Sequence, residues 1–278
     1  MVRVAIGVEY SGELFEGWQI QPHGRTVQNR LEQALSTVAQ APVSVVCAGR
    51  TDTGVHATAQ VVHFDTCAKR PLEAWVRGTN SHLPPGVSVL WAVEVDDEFH
   101  ARFSAESRRY RYVLLNRRVR PAILAGRVGW IHGALDEALM AQAAGDLLGE
   151  HDFTSFRAAQ CQARSPVRTM HSIQVRRHGD VVMFDFHANA FLHHMIRNLV
   201  GALVYVGKGR QPPGWMAELL TLRNRSLAAP TFAPDGLYLC GVEYPPRWSL
   251  PGGGRIIAPP QLLIPEAPCI APESRSVA

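Results

Sequence analysis

The chain has 278 residues, of which 46% are apolar and 19% charged, with a formal net charge of +4. That length supports a sizeable core or two modest domains, and the composition excludes disordered, fibrous and membrane-embedded classes. No run of eighteen apolar residues occurs and Met1-Val2-Arg3-Val4 opens directly into a strand pattern, so neither a membrane span nor a signal peptide is expected and the expected location is cytoplasmic.

Val2, Val4, Ile6, Val8 and Tyr10 alternate, which predicts a strand with one buried face. Thr26 can cap a helix whose apolar positions Val27, Leu31, Ala34, Leu35 and Val38 fall at helical spacing. Residues 43–47 and 60–64 read as strands on either side of a polar turn. Pro71 suits the first turn of a second helix with Leu72, Trp75 and Val76 on one face, and residues 87–95 form a further strand. The order β-α-β-β-α-β is that of the ferredoxin-like split unit. The second part repeats it loosely. A strand over 109–115 precedes a helix over 136–148 with Leu139, Met140, Ala143 and Leu147 as its apolar face. A hairpin over 170–187 turns at His178-Gly179-Asp180. A long apolar helix runs over 191–206 to Gly207, a short helix covers 215–222, and a last strand covers 237–244. The expected fold class is α+β, with two ferredoxin-like halves (1–104 and 105–247), antiparallel sheets and a central cleft. Residues 248–278, with Pro251-Gly252-Gly253-Gly254, read as an irregular Pro/Gly-rich tail.

Between two of the predicted strands lies Ala48-Gly49-Arg50-Thr51-Asp52-Thr53-Gly54-Val55-His56-Ala57. A carboxylate on a glycine-punctuated loop between strands is placed as a reagent is, because rigid scaffolds carry their chemistry on loops. Asp-Thr-Gly is also the aspartic-protease tripeptide, but that chemistry needs two carboxylates and this chain has no second copy. Five cysteines lie at 47, 67, 161, 240 and 269 without a C-x-x-C pair, which argues for reduced thiols and against a disulfide framework or a structural zinc site.

The positive charge is unevenly spread. Residues 102–127 hold eight arginines and one acid, Glu106, and residues 157–177 hold five arginines and no acid. Phe103, Tyr110, Tyr112 and Phe156 are interleaved with them, a combination suited to phosphate contact and base stacking. In the helix expected from Phe191, Arg197 is the only formal charge before Lys208. A buried guanidinium needs an anionic partner, and Asp52 across the cleft is the expected one. Two bland readings stand beside this: a solvated stripe pairing His193 with Arg197 and His194 with Asn198 at i, i+4, and a zinc site at the adjacent histidines, which no H-E-x-x-H or nearby cysteine supports.

Gly17-Trp18-Gln19, Gly49 to Ala57, Phe99-His100-Ala101-Arg102-Phe103-Ser104-Ala105, Arg109-Tyr110-Arg111-Tyr112, Asp152 to Arg157, Asn189 to Asn198 and Gly236-Leu237-Tyr238-Leu239 occur in that order. Together they resemble the tRNA pseudouridine synthase A family from Val4 to about Tyr244. The resemblance implies isomerisation of uridine to pseudouridine at positions 38, 39 and 40 of the tRNA anticodon stem-loop, without cofactor or metal. It implies that Asp52 is the catalytic aspartate, that Arg197 pairs with it, that Tyr110 stacks on the target base and that Arg50 helps to flip it out. It implies tRNA contacts at Arg70, along Phe99, His100, Ala101, Arg102 and Phe103, and along Gln160, Cys161, Gln162, Ala163 and Arg164. It further implies a homodimer with one tRNA touching both subunits. Ser11-Gly12 departs from the family's usual Asp-Gly, and the tail has no counterpart in the pattern. A non-catalytic RNA-binding module is the alternative reading of the arginine and aromatic stretches.

Overall fold

A computed structural model describes residues 1–251. Most of the Pro/Gly-rich stretch thus lies outside the described residues. Trp248, expected at the start of that stretch, is buried against Phe99, and its indole N–H donates to the Asp96 carboxylate.

Among the described residues the strands are β1 (Val2–Tyr10), β2 (Val46–Cys47), β3 (His56–Thr66), β4 (Val87–Val95), β5 (Ser107–Asn116), β6 (Gly129–Ile131), β7 (Gly149–Asp152), β8 (Val167–His178), β9 (Val181–Ala188) and β10 (Leu237–Glu243). The helices are α1 (Val27–Ala39), α2 (Leu72–His82), α3 (Glu137–Gly145), α4 (Met195–Gly207) and α5 (Trp215–Leu222). The α+β class holds. All ten strands join one mixed, mostly antiparallel sheet in the order β4-β1-β3-β10-β5-β9-β8-β7, with β2 on β3 and β6 on β5. The strand expected over 43–47 is ordered as a ladder only at Val46–Cys47, while β3 starts four residues earlier than expected. Strands β6 and β7 escape a reading by periodicity because each is too short to show a period.

The seam lies at β10. This strand comes from the end of the chain, yet it runs parallel to β3 through Leu239 opposite Ala57 and antiparallel to β5 through Leu239 opposite Tyr110. It therefore brings the loop before β3 next to the middle of β5. Thr26 caps α1 by accepting from the Asn29 N–H, and Asp136 caps α3 by accepting from the Leu139 N–H. Period-2 alternation on β5 and β9 turns Tyr110, Tyr112, Phe184 and Phe186 into the core and Arg109, Arg111, Asp185 and His187 to the other face.

The segment joining the two sequence halves is anchored by a neutral histidine. His63 on β3 is 4% exposed and its Nδ1 accepts the Ala101 N–H at 3.1 Å. Burial, aided by the charges of Arg3 and His100, pushes its imidazolium pKa down to about 4. An unfolded chain takes up this proton first, near pH 6.5, so the stabilisation is fully present above that pH and is lost as pH falls towards 4. The loss amounts to about 3 kcal/mol from this group. Urea unfolding at pH 7 and pH 5 is expected to show that slope, and His63→Gln to flatten it; an unchanged slope in the variant refutes the assignment.

Candidate active site

The Asp52 loop is built by its neighbours. Gln60, fully buried on β3, donates through Nε2 to the Gly49 carbonyl at 2.6 Å and accepts the Gly49 N–H at 3.4 Å. It also donates to the Tyr10 hydroxyl, which is bonded at 2.8 Å to the Thr51 hydroxyl. The Trp18 N–H donates to the Thr51 carbonyl, laying the Gly17-Trp18 segment on the loop. Asp52 then opens a turn closed by the Val55 N–H to its carbonyl at 3.1 Å. Gly54 in that turn has φ of +81°, and a Cβ there would lie 2.8 Å from Pro234 Cγ. Both facts demand glycine. Gly54→Ala is expected to cost about 1–3 kcal/mol and to displace Asp52, read as a lower melting temperature together with reduced turnover. His56, four residues after Asp52, is a strut: Nδ1 accepts the Gly12 N–H at 3.0 Å, while Nε2 faces the carbonyls of Gly126 and Asp235.

Arg197 reaches this loop from α4. Its Nη1 donates to Asp52 Oδ2 at 3.0 Å and its Nε to the Phe232 carbonyl at 2.8 Å, so the fork is aimed by a second anchor. The expected pair exists. Its setting differs from expectation, because α4 begins at Met195 rather than Phe191. His194 sits in the left-handed region at φ of 61°, which no α-helix propagates through. The i, i+4 stripe therefore does not form. Instead His193 Nε2 lies 3.1 Å from Asp52 Oδ1, and His194 Nε2 lies 3.3 Å from Oδ2. The two imidazoles lie against each other with centroids 4.0 Å apart and planes tilted by 38°.

The Asp52 side chain is 20% exposed. Burial pushes its carboxyl up, but the His193 hydrogen bond, the His194 and His193 charges and the Arg197 hydrogen bond together hold it below the usual carboxylate range. The Asp52 hydrogen bond raises His193, whereas burial lowers His194. Sequence reasoning missed both histidines as carboxylate partners. Their adjacency to Arg197 was the available signal, and the assumed helix hid it.

Tyr110, on β5, is 9% exposed and packs edge-on against Phe191 at 5.1 Å. Burial raises its phenol well above the ordinary value, so it stays neutral near pH 7. A Cβ on Gly49 would come 3.6 Å from its hydroxyl, which places Tyr110 beside the Asp52 loop. Arg50 is exposed and makes no hydrogen bond or ion pair among the described residues.

The remaining expected contacts divide. Arg70, Arg102, Phe103, Gln160, Gln162 and Arg164 are exposed, and His100, Cys161 and Ala163 are half-buried. Arg102 lies over the Phe103 ring, which stacks on His100. Phe99 and Ala101 are fully buried, so their side chains are core and not surface. The loop at 157–163 is closed by Arg157, which donates to the Cys161 and Ala163 carbonyls.

The arginine-rich stretches also divide. Arg108 is buried and spends its donors on four carbonyls, those of Ala105, Asn189, Ala48 and Arg102, at 3.0, 2.9, 3.2 and 2.6 Å. It ties the Asp52 loop to the segment that leads into His193. Arg109 pairs with Glu243, Arg111 and Arg176 with Asp185, and Arg177 with Glu137. These five arginines are structural.

A family profile described as tRNA pseudouridine synthase matches residues 6–104 and 143–245. The protein named tRNA pseudouridine synthase A from Aromatoleum aromaticum is 65% identical over 261 residues, covering 94% of this chain and 99% of the relative. Its namesake from Dechloromonas aromatica is 61% identical over 250 residues, covering 90% and 95%. That from Paraburkholderia xenovorans is 58% identical over 251 residues, covering 90% and 93%. A solved Cbf5-Nop10-Gar1 complex contains a chain similar at a TM-score of 0.38 and 12% identity, covering 85% of this chain and 48% of that one, a likeness too low to bear on function. The profile match over most of the described residues and the near full-length identity to these relatives mean that the chain belongs to the tRNA pseudouridine synthase family.

Proposed function

We propose that this protein isomerises uridine to pseudouridine in tRNA, at positions 38, 39 and 40 of the anticodon stem-loop, with Asp52 as the reacting carboxylate. The observation that carries the reading is the ionised Asp52, fixed at 3.0 Å by Arg197 at the seam of the sheet. The isomerisation breaks the C1′–N1 bond, forms a C1′–C5 bond, takes the proton from C5 and returns one to N1. No atom is gained, so the chemistry calls for no cofactor. An ionised carboxylate serves either as the nucleophile at C1′ or as the base that assists loss of the 2′ proton.

The target base must leave its stack first, at a cost of a few kcal/mol. Stacking on an aromatic ring returns about 1–3 kcal/mol, the role assigned to Tyr110. Arg50, exposed and without a partner among the described residues, has its donors available to the displaced nucleotide. Purified protein incubated with an unmodified tRNA transcript is expected to form pseudouridine at 38–40, mapped by carbodiimide-stop primer extension. Binding without product in a single turnover means the RNA-binding module instead.

The reading extends to the architecture and the substrate surface. The element order β1-α1-β2-β3-α2-β4 supports a ferredoxin-like half over 1–104, with 105–247 as its loose counterpart, and the seam at β10 as the floor of the cleft. The protein acts as a homodimer, which sedimentation tests. Exposed Arg70, Arg102 and Arg164 touch phosphates. Three such contacts predict a log–log salt slope of the tRNA association constant of about −2 to −3. A flat dependence removes them.

A further inference from the structure

Asp52, His193 and His194 are the one group of three metal-ligating side chains among the described residues whose donor atoms lie within 4.8 Å of one another. The 3.1 Å separation from Asp52 Oδ1 to His193 Nε2 matches a donor–donor edge of about 3.3 Å, as in a tetrahedral site with bonds of about 2.0–2.1 Å, and His194 Nε2 lies 3.3 Å from the other carboxylate oxygen. The adjacent, mutually tilted imidazoles both direct Nε2 at the carboxylate. Oδ2 is held by Arg197, while among the described residues Oδ1 faces His193. A carboxylate that ligates through one oxygen while its other oxygen accepts a hydrogen bond is an ordinary outer-shell arrangement. The three side chains are 41%, 27% and 20% exposed for His193, His194 and Asp52, so a hydrated ion reaches them. No linear zinc motif announces this, because the ligands come from two distant segments.

We propose that Asp52, His193 and His194 form an inhibitory site for a divalent transition-metal ion of the zinc type, occupied in competition with the extruded uridine. Imidazole and carboxylate donors suit zinc, cobalt and nickel. The Arg197 charge beside Oδ2 keeps the affinity below that of a resident structural site. Metal binding is independent of the proposed activity; only the inhibition rests on it.

The test uses full-length protein stripped of metal. Zinc chloride is titrated against a chromophoric chelator, and cobalt(II) is followed by its visible d–d bands. One ion per chain is expected, with affinity falling at least about tenfold in His193→Gln and in His194→Gln. Circular dichroism checks folding, and His193→Gln, at a half-exposed loop position, suffices if the other variant fails to fold. Zinc is expected to stop pseudouridine formation with the same midpoint, with recovery on adding EDTA, and tRNA is expected to displace the ion. No ion bound at about 100 µM zinc, or affinity unchanged in both variants, overturns the site. Binding that the variants weaken but that leaves isomerisation untouched overturns the competition. A metal-free wild type that makes no pseudouridine points instead to failure of the proposed function.

Discussion

Asp52→Asn is expected to lower pseudouridine formation on an unmodified tRNA transcript at least about a thousandfold, with tRNA affinity nearly unchanged. The substitution is isosteric. Asparagine still accepts from Arg197 through its carbonyl oxygen, so the Arg197 anchors at Asp52 and Phe232 persist. What disappears is the charge, and neither attack at C1′ nor proton abstraction proceeds through a neutral amide. Arg197 keeps its hydrogen bond but loses its anionic partner, so stability is expected to fall by up to about 3–5 kcal/mol, read as a lower melting temperature. Undiminished product formation by the variant rejects Asp52 as the reacting group.

Arg197→Ala is expected to reduce kcat about 100- to 1000-fold while the tRNA dissociation constant changes by less than about threefold. The guanidinium is 14% exposed and faces a carboxylate and a carbonyl, not the surface where phosphates would lie. Its removal leaves Oδ2 of Asp52 with His194 alone, and burial lowers the imidazolium pKa of that histidine. The carboxylate then loses its permanent positive partner and its fixed aim. Breaking a pair of this kind also destabilises the protein by about 3–5 kcal/mol, so turnover must be measured below the variant's own melting temperature. An equal loss of binding and of turnover identifies Arg197 as a phosphate contact and withdraws it from the reaction.

These two residues were legible for local reasons. Asp52 lies in a run of turn-forming residues between apolar strands, and Arg197 is the one formal charge in an apolar helix before Lys208. Both signals fall within about ten residues. The histidines were not legible. Their role depends on where α4 begins, and that is decided by the left-handed backbone at His194, which turns both rings back onto Asp52. Helical periodicity continues through Phe191 and Leu192 because both pack against the core, whatever their backbone conformation.

The arginines show the same division. Acid-free stretches are visible along the chain, but acids reach Arg111 from 74 residues away and Arg109 from 134. Arg108 needs no acid at all, because carbonyl oxygens fill its fork. Which cations remain for a nucleic acid is therefore decided only after the sheet is paired.

The linear order of residues by itself determined the α+β class, most strands and helices, the Asp52 turn and the need for an anion beside Arg197, since each follows from periodicity, capping, turn chemistry or a lone charge in an apolar run, all within a short window. Tertiary structure alone decided that β10 returns to join β3 and β5, that Asp52 meets two imidazoles as well as Arg197, and that Phe99, Ala101 and Arg108 face inward. Those outcomes are long-range contacts, up to 182 residues apart for Leu239 and Ala57, and their free energy comes from burial and pairing that exist only once the sheet has closed.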